Sequence, residues 1–142
     1  MIYQVEMLIK APRDLVSKLY IDKTSMKAWQ SGLESIESHE GDLFDSGSHG
    51  DLVFKFGNQE MRMHVSVESS HLPDDITLIY QVKGAWNRCV NTFKGHLEGT
   101  LWIMEVEFKF DEPMDLPIER FIKKTTEAMN LYRDFIEMRH IS

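Results

Sequence analysis

The sequence predicts an α+β fold in which a seven-stranded antiparallel sheet is covered by one long C-terminal helix. Three observations lead there. Seven segments have strand character, and the last six are joined by short links rich in Gly, Asn, Asp and Pro. Such links make neighbours antiparallel, because a parallel pair needs a long crossover. Two of the segments alternate apolar and polar residues, which gives the sheet one dry face. The final segment, "DLPIERFIKKTTEAMNLYRDFIEMRH", has a single apolar stripe at helical spacing.

The elements follow in chain order. In "IYQVEMLIK", Tyr3, Val5, Met7 and Ile9 share one side against Gln4, Glu6 and Lys10, the pattern of a half-buried strand. Pro12 suits the first position of a helix whose apolar side is Leu15, Val16, Leu19 and Tyr20, with Asp14 in the favourable first turn. Asp22 is read as the cap of a second short helix, "KTSMKAW", in which Met26 and Trp29 share a face before Gly32 ends it. Neither helix is stable alone, since helices under roughly 12 residues are marginal in water.

Six strands are then expected near 33–39, 50–56, 60–69, 76–83, 88–97 and 100–110. Met61, Met63, Val65 and Val67 oppose Arg62, His64, Ser66 and Glu68, while Trp102, Met104, Val106, Phe108 and Phe110 oppose Glu105, Glu107 and Lys109. The last helix is expected from the cap-like Asp115 and Pro117 to the basic Arg139 and His140, with Ile118, Phe121, Ile122, Thr125, Ala128, Met129, Tyr132, Phe135 and Ile136 as its stripe. At ~1.5 Å per residue it is roughly 35 Å long, enough to lie along a ten-residue strand.

Composition narrows the function. The 142 residues fit a single domain, 1–142, with 42% hydrophobic and 27% charged residues, an ordinary folded balance. Lys and Arg number 16 against 23 Asp and Glu, and the net charge of -7 repels phosphate backbones and anionic lipid, so no nucleic acid partner is expected. The lone Cys89 rules out an internal disulfide and a C-x-x-C motif, which fits a reducing cytoplasm. No apolar run approaches ~18 residues, and Gln4 and Glu6 interrupt the first apolar stretch, so neither stable membrane insertion nor a signal peptide is expected.

The order strand, two short helices, six-strand meander, long helix resembles the helix-grip fold of the START-like (SRPBCC) superfamily. Matches to its bacterial polyketide cyclase/dehydrase-like branch are "IKAP" (Ile9 to Pro12) with Val16 and Asp22, Trp29 with Gly32 and Leu33, and "GTLW" (Gly99 to Trp102). The Phe- and Met-containing final helix is a further match. These residues carry architecture and little chemistry. The resemblance implies a curved sheet closed at one end by the short helices and across its open face by the long one, enclosing a cavity. Met26 and Trp29 would plug one end.

The dry face of the two clearest strands presents no Asp, Glu, His, Lys or Arg, which favours binding over acid–base catalysis. On the strands near 76–83 and 88–97 the facing is ambiguous. Tyr80 points inward if it lies beside Leu78 and Val82, and either Cys89 and Asn91 or Arg88 and Thr92 do. The nine methionines are read as core filling ahead of an adaptable lining. Trp86 falls in the turn "GAWNR", where it could sit at a cavity mouth. His39-Glu40, His49-x-Asp51 and His71 near Asp74-Asp75 lack the spacing that fixes metal ligands on one element, and are read as solvated loop histidines. Cys89 is read as a small buried thiol.

The resulting expectation is a non-catalytic protein that binds a small apolar molecule under the C-terminal helix. Its lining would be Trp29, Phe54, Phe56, Met61, Met63, Tyr80, Asn91, Trp102, Met104, Phe121, Met129 and Tyr132, with no catalytic residue, metal or cofactor. Two alternatives stand beside it. One is a cyclase, aromatase or hydratase using Tyr80, Asn91 or Arg88. The other is a co-chaperone-like module that meets a protein partner through Arg62, Glu105, Glu107 and Lys109 on the wet face. A monomer or a homodimer fits each of these.

Overall fold

The computed structural model describes residues 1–141, with side chains through Arg139, so the His140 side chain expected at the helix end lies outside the described residues. The strands are β1 (Ile2–Ile9), β2 (Leu33–Glu40), β3 (His49–Phe56), β4 (Gln59–His71), β5 (Asp75–Val82), β6 (Ala85–His96) and β7 (Gly99–Phe110). The helices are α1 (Arg13–Tyr20) and α2 (Ile118–Ile141). One sheet holds all seven strands in the order β1-β7-β6-β5-β4-β3-β2, every neighbour antiparallel. This is the helix-grip α+β architecture.

That order explains the short segments near the start of the chain. β1 and β2 are consecutive in sequence yet lie at opposite edges, so residues 10–32 must cross the whole sheet. They do so across the face that α2 also covers: Val16, Leu19, Tyr20 and Met26 are buried there with Trp102, Met129, Tyr132 and Ile136. The Tyr132 hydroxyl donates to the Val16 carbonyl of α1 at 2.5 Å, tying the two helices together. Full burial of Met129, Tyr132 and Ile136 on α2 is worth roughly 1.5–3 kcal/mol for each apolar side chain.

The second short helix is smaller than expected, a single 3₁₀ turn at Met26–Ala28. Local side chains explain the difference. Thr24 and Ser25 donate their hydroxyls to the Asp22 carboxylate at 2.9 and 2.5 Å, so Asp22 organises a turn and caps no α-helix. These bonds hold the Asp22 carboxyl below its usual range.

Two hydrogen bonds fix α2 along β1 and the residue that follows it. The Tyr3 hydroxyl bonds Thr125 Oγ1 at 2.7 Å, and the Lys10 backbone N–H donates to Glu137 Oε2 at 2.8 Å. The helix therefore packs closest to the β1 edge. Less of it reaches β3, β4 and β5, and the gap beside it is where the candidate site lies.

Candidate functional site

Alternation along each strand decides what faces α2. On β6, Asn87, Cys89, Asn91 and Phe93 point inward, which settles the ambiguous segment; Arg88 points outward and clasps Glu68 at 2.6 and 3.1 Å. Tyr80 on β5 faces inward, as does Met63 on β4. β6 begins at Ala85, three residues earlier than expected, because the turn consists of Lys83 and Gly84 alone. Trp86 is therefore a strand residue on the outer face, with Lys109 Nζ 4.8 Å from its ring centroid, and not a mouth residue.

Between α2 and the β3–β5 half of the sheet lies a cavity of about 470 Å³, within the range that holds small ligands. Its floor is aromatic. Tyr20 stacks on Trp29 at 5.5 Å and meets Trp102 edge-on at 5.4 Å, and Trp29 meets Tyr132 at 4.6 Å. Phe54, Met63, Tyr80, Trp102, Met104 and Met129 form the walls. Lys124, Glu127, Ala128 and Leu131 on α2, with Gln30 and Ser31 after the 3₁₀ turn, border the space on its helix side.

Five residues expected in the lining lie elsewhere. Phe56 and Met61 are on the inward-facing rows, but the tip of the β3–β4 hairpin runs past the cavity, leaving them 53% and 41% exposed. Phe56 instead covers Gly32, whose φ of +81° and missing Cβ let the ring approach; a Cβ there would sit 2.5 Å from Phe56 Cε1. Phe121 packs against Phe108 and Phe110, in a second cluster near Tyr3, Cys89 and Val106. Tyr132 and Asn91 are fully buried beneath the cavity. Tyr20, Gln30, Ser31, Asn87, Lys124, Glu127, Ala128 and Leu131 also border the space without a signal in the sequence: Tyr20 reads as the core side of a helix, and no sequence pattern marks a residue beside an opening.

The polar groups under the floor satisfy one another. Asn91 Oδ1 accepts from Trp102 Nε1 at 3.0 Å and from the Tyr20 hydroxyl at 3.3 Å. Burial pushes the Tyr20, Tyr80 and Tyr132 phenols well up, and it raises the Cys89 thiol to about 12. All four stay neutral near pH 7, so none serves as a phenolate or thiolate nucleophile there. One lining residue carries a donor that is not satisfied. Among the described residues only two buried side-chain nitrogen or oxygen atoms lack a hydrogen-bond partner, and one of them is Trp29 Nε1.

The structure also gathers residues that the sequence reading kept apart. His39 and His49 lie on strands and not in loops, and β3 pairs Asp51 directly with His64 of β4. Asp51 accepts from His64 Nδ1 at 2.9 Å and lies 3.1 Å from His39 Nε2. Burial raises the Asp51 pKa, but the bonds from His64 and His39 outweigh it and hold the carboxyl below its usual range. Arg62, also on the wet face, makes a two-pronged contact with Glu37 at 2.9 and 3.2 Å.

No helix among the described residues is long and apolar enough to cross a membrane. No protein-family model matches the chain, and no curated protein is similar to it. Solved structures are similar along nearly its whole length. An uncharacterized protein from Rhizobium leguminosarum superposes with a TM-score of 0.81 at 13% identity, covering 97% of this chain and 95% of that one. Ara h 8.0201 superposes with a TM-score of 0.79 at 10% identity, over 96% and 97%. A protein of unknown function from Staphylococcus aureus does so at 0.75 and 15% identity, over 100% and 96%. At these identities the likeness is one of architecture, and the chain shares the helix-grip fold with all three.

Proposed function

We propose that the chain binds a small, mainly apolar molecule in the cavity beside α2, and that this molecule presents one hydrogen-bond acceptor to Trp29 Nε1. The observations that carry this reading are an apolar space of about 470 Å³ and, in one of its lining residues, Trp29, a buried Nε1 without a partner that a small ring movement would bring to the ligand. A buried N–H without a partner costs about 1–3 kcal/mol, and a ligand acceptor would relieve that cost. The START-like resemblance supports the same reading. Tyr20, Tyr80 and Asn87, which line the space, then orient and shape the ligand; the outward position of Arg88 removes one of the groups that a cyclase-like reading needs.

A titration with the neutral fluorescent probe N-phenyl-1-naphthylamine tests it. The native protein should brighten the probe saturably, whereas Met63→Trp, which fills the space, and Ala128→Trp, which blocks it from an exposed helix position, should not. Far-UV circular dichroism should be unchanged in both. Saturable brightening that persists in both folded variants, or none in the native protein, overturns the proposal.

A further inference from the structure

The second orphaned polar atom, His49 Nδ1, lies outside the cavity on the opposite face of the sheet, within the histidine cluster. We propose that His39, His49, Asp51 and His64 form a binding site for a divalent transition metal, zinc above all.

The local fold explains how these four meet. Asp51 and His49 alternate onto one face of β3, and the ladder sets His64 of β4 opposite Asp51. On the other side Glu37 of β2 lies opposite Asp51, and the β2–β3 register slips between Ser38 and Glu40. That bulge puts an extra residue on β2, so His39 and Glu40 both reach the β3 histidine: the His39 and His49 ring centroids are 6.2 Å apart, and Glu40 Oε2 is 3.2 Å from His49 Nε2. Gly50 permits the close approach, since a Cβ there would lie 2.1 Å from the Glu37 carbonyl oxygen.

Part of the site is already assembled: one donor atom each from Glu37, His39 and Asp51 lies within 4.8 Å of the other two, and binding would draw the His64 and His49 rings in to them. Zinc holds its ligands at about 2.0–2.2 Å, so neighbouring donor atoms on a tetrahedral centre are about 3.3 Å apart and neighbouring imidazole centroids about 5 Å apart. His64 Nδ1 and His39 Nε2 lie 2.9 and 3.1 Å from the two Asp51 oxygens. The ring centroids of His49 and His64 are 5.2 Å apart and His39 stands 6.2 and 6.4 Å from them, with the His39 and His64 planes nearly parallel, so the rings must turn as well as close to share an ion.

The donor chemistry points the same way. Three imidazoles and one carboxylate suit zinc, nickel or copper better than calcium or magnesium, which take oxygen ligands. Glu40 on His49 Nε2 has the form of the outer carboxylate that orients a ligating histidine, and it leaves the partnerless Nδ1 as the ligand atom. Charge favours a cation: Glu37, Asp51 and Glu60 surround one guanidinium, Arg62, and a fourth carboxylate, Glu40, sits on His49. Arg62 also competes, because it sits 3.4 Å from Asp51.

Zinc chloride titrated calorimetrically into chelator-treated full-length protein tests the assignment. One equivalent should bind, and His39→Ala and His64→Ala should each weaken binding by about tenfold or more. His71→Ala, at the exposed far end of β4, should leave it unchanged. Arg62→Ser should tighten it, an effect that general damage to the sheet would not produce. Cobalt(II) in place of zinc should give visible absorption that is lost in His64→Ala. Absence of binding overturns the proposal, as does binding that survives His39→Ala and His64→Ala or is lost in His71→Ala.

Discussion

Trp102 on β7 donates its indole N–H to Asn91 on β6 at 3.0 Å, a diagonal pair on the inner face of adjacent strands. The same Asn91 oxygen accepts from Tyr20 of α1, so one buried amide joins the sheet to the crossing segment. Asn91→Leu keeps the volume and removes the acceptor. The stranded Trp102 N–H alone should cost about 1–3 kcal/mol, read as a lower urea midpoint at unchanged slope.

Tyr132→Phe separates the helices chemically without leaving a void. It deletes the hydroxyl that bonds the Val16 carbonyl, while the ring contacts with Trp29 and Trp102 persist. The expected loss is about 0.5–1.5 kcal/mol, with faster amide exchange in α1 as the accompanying sign.

Trp29→Phe separates the orphaned donor from the aromatic wall. For a naphthalene probe bearing a ketone, affinity should fall roughly three- to tenfold, the worth of one hydrogen bond, while the parent hydrocarbon binds nearly as before. Equal losses for both probes would show that the N–H is not used.

Asp51 gives the fold a defined acid sensitivity. Its carboxyl titrates below the ordinary value of about 3.9, so the carboxylate stabilises the folded chain above that pH. That contribution disappears as pH falls through the lower, folded value. The melting-temperature gap between the native protein and Asp51→Asn should be widest near neutrality and narrow below about pH 4. A gap that widens on acidification would contradict the cause assigned.

The architecture was legible because strands announce themselves by a period of two and α2 by an uninterrupted stripe. Pairwise alternation also places Met63, Trp102 and Met104 on the inner face. Enclosure was not legible: Phe56 and Met61 keep the same alternation as Phe54 and Met63, yet sit past the cavity's edge, which depends on where α2 lies. The His39, His49 and His64 cluster was invisible for a related reason. Its members lie on three strands, and the bulge that aligns them shifts register without a sequence signature that spacing rules detect.

Native mass spectrometry of the protein purified from its own host tests the central claim most directly. A noncovalent adduct of small-molecule mass, lost on denaturation and absent from Met63→Trp, is the predicted result. An adduct-free native protein whose mass equals that of the denatured chain, and which also fails to brighten the naphthylamine probe, would contradict it.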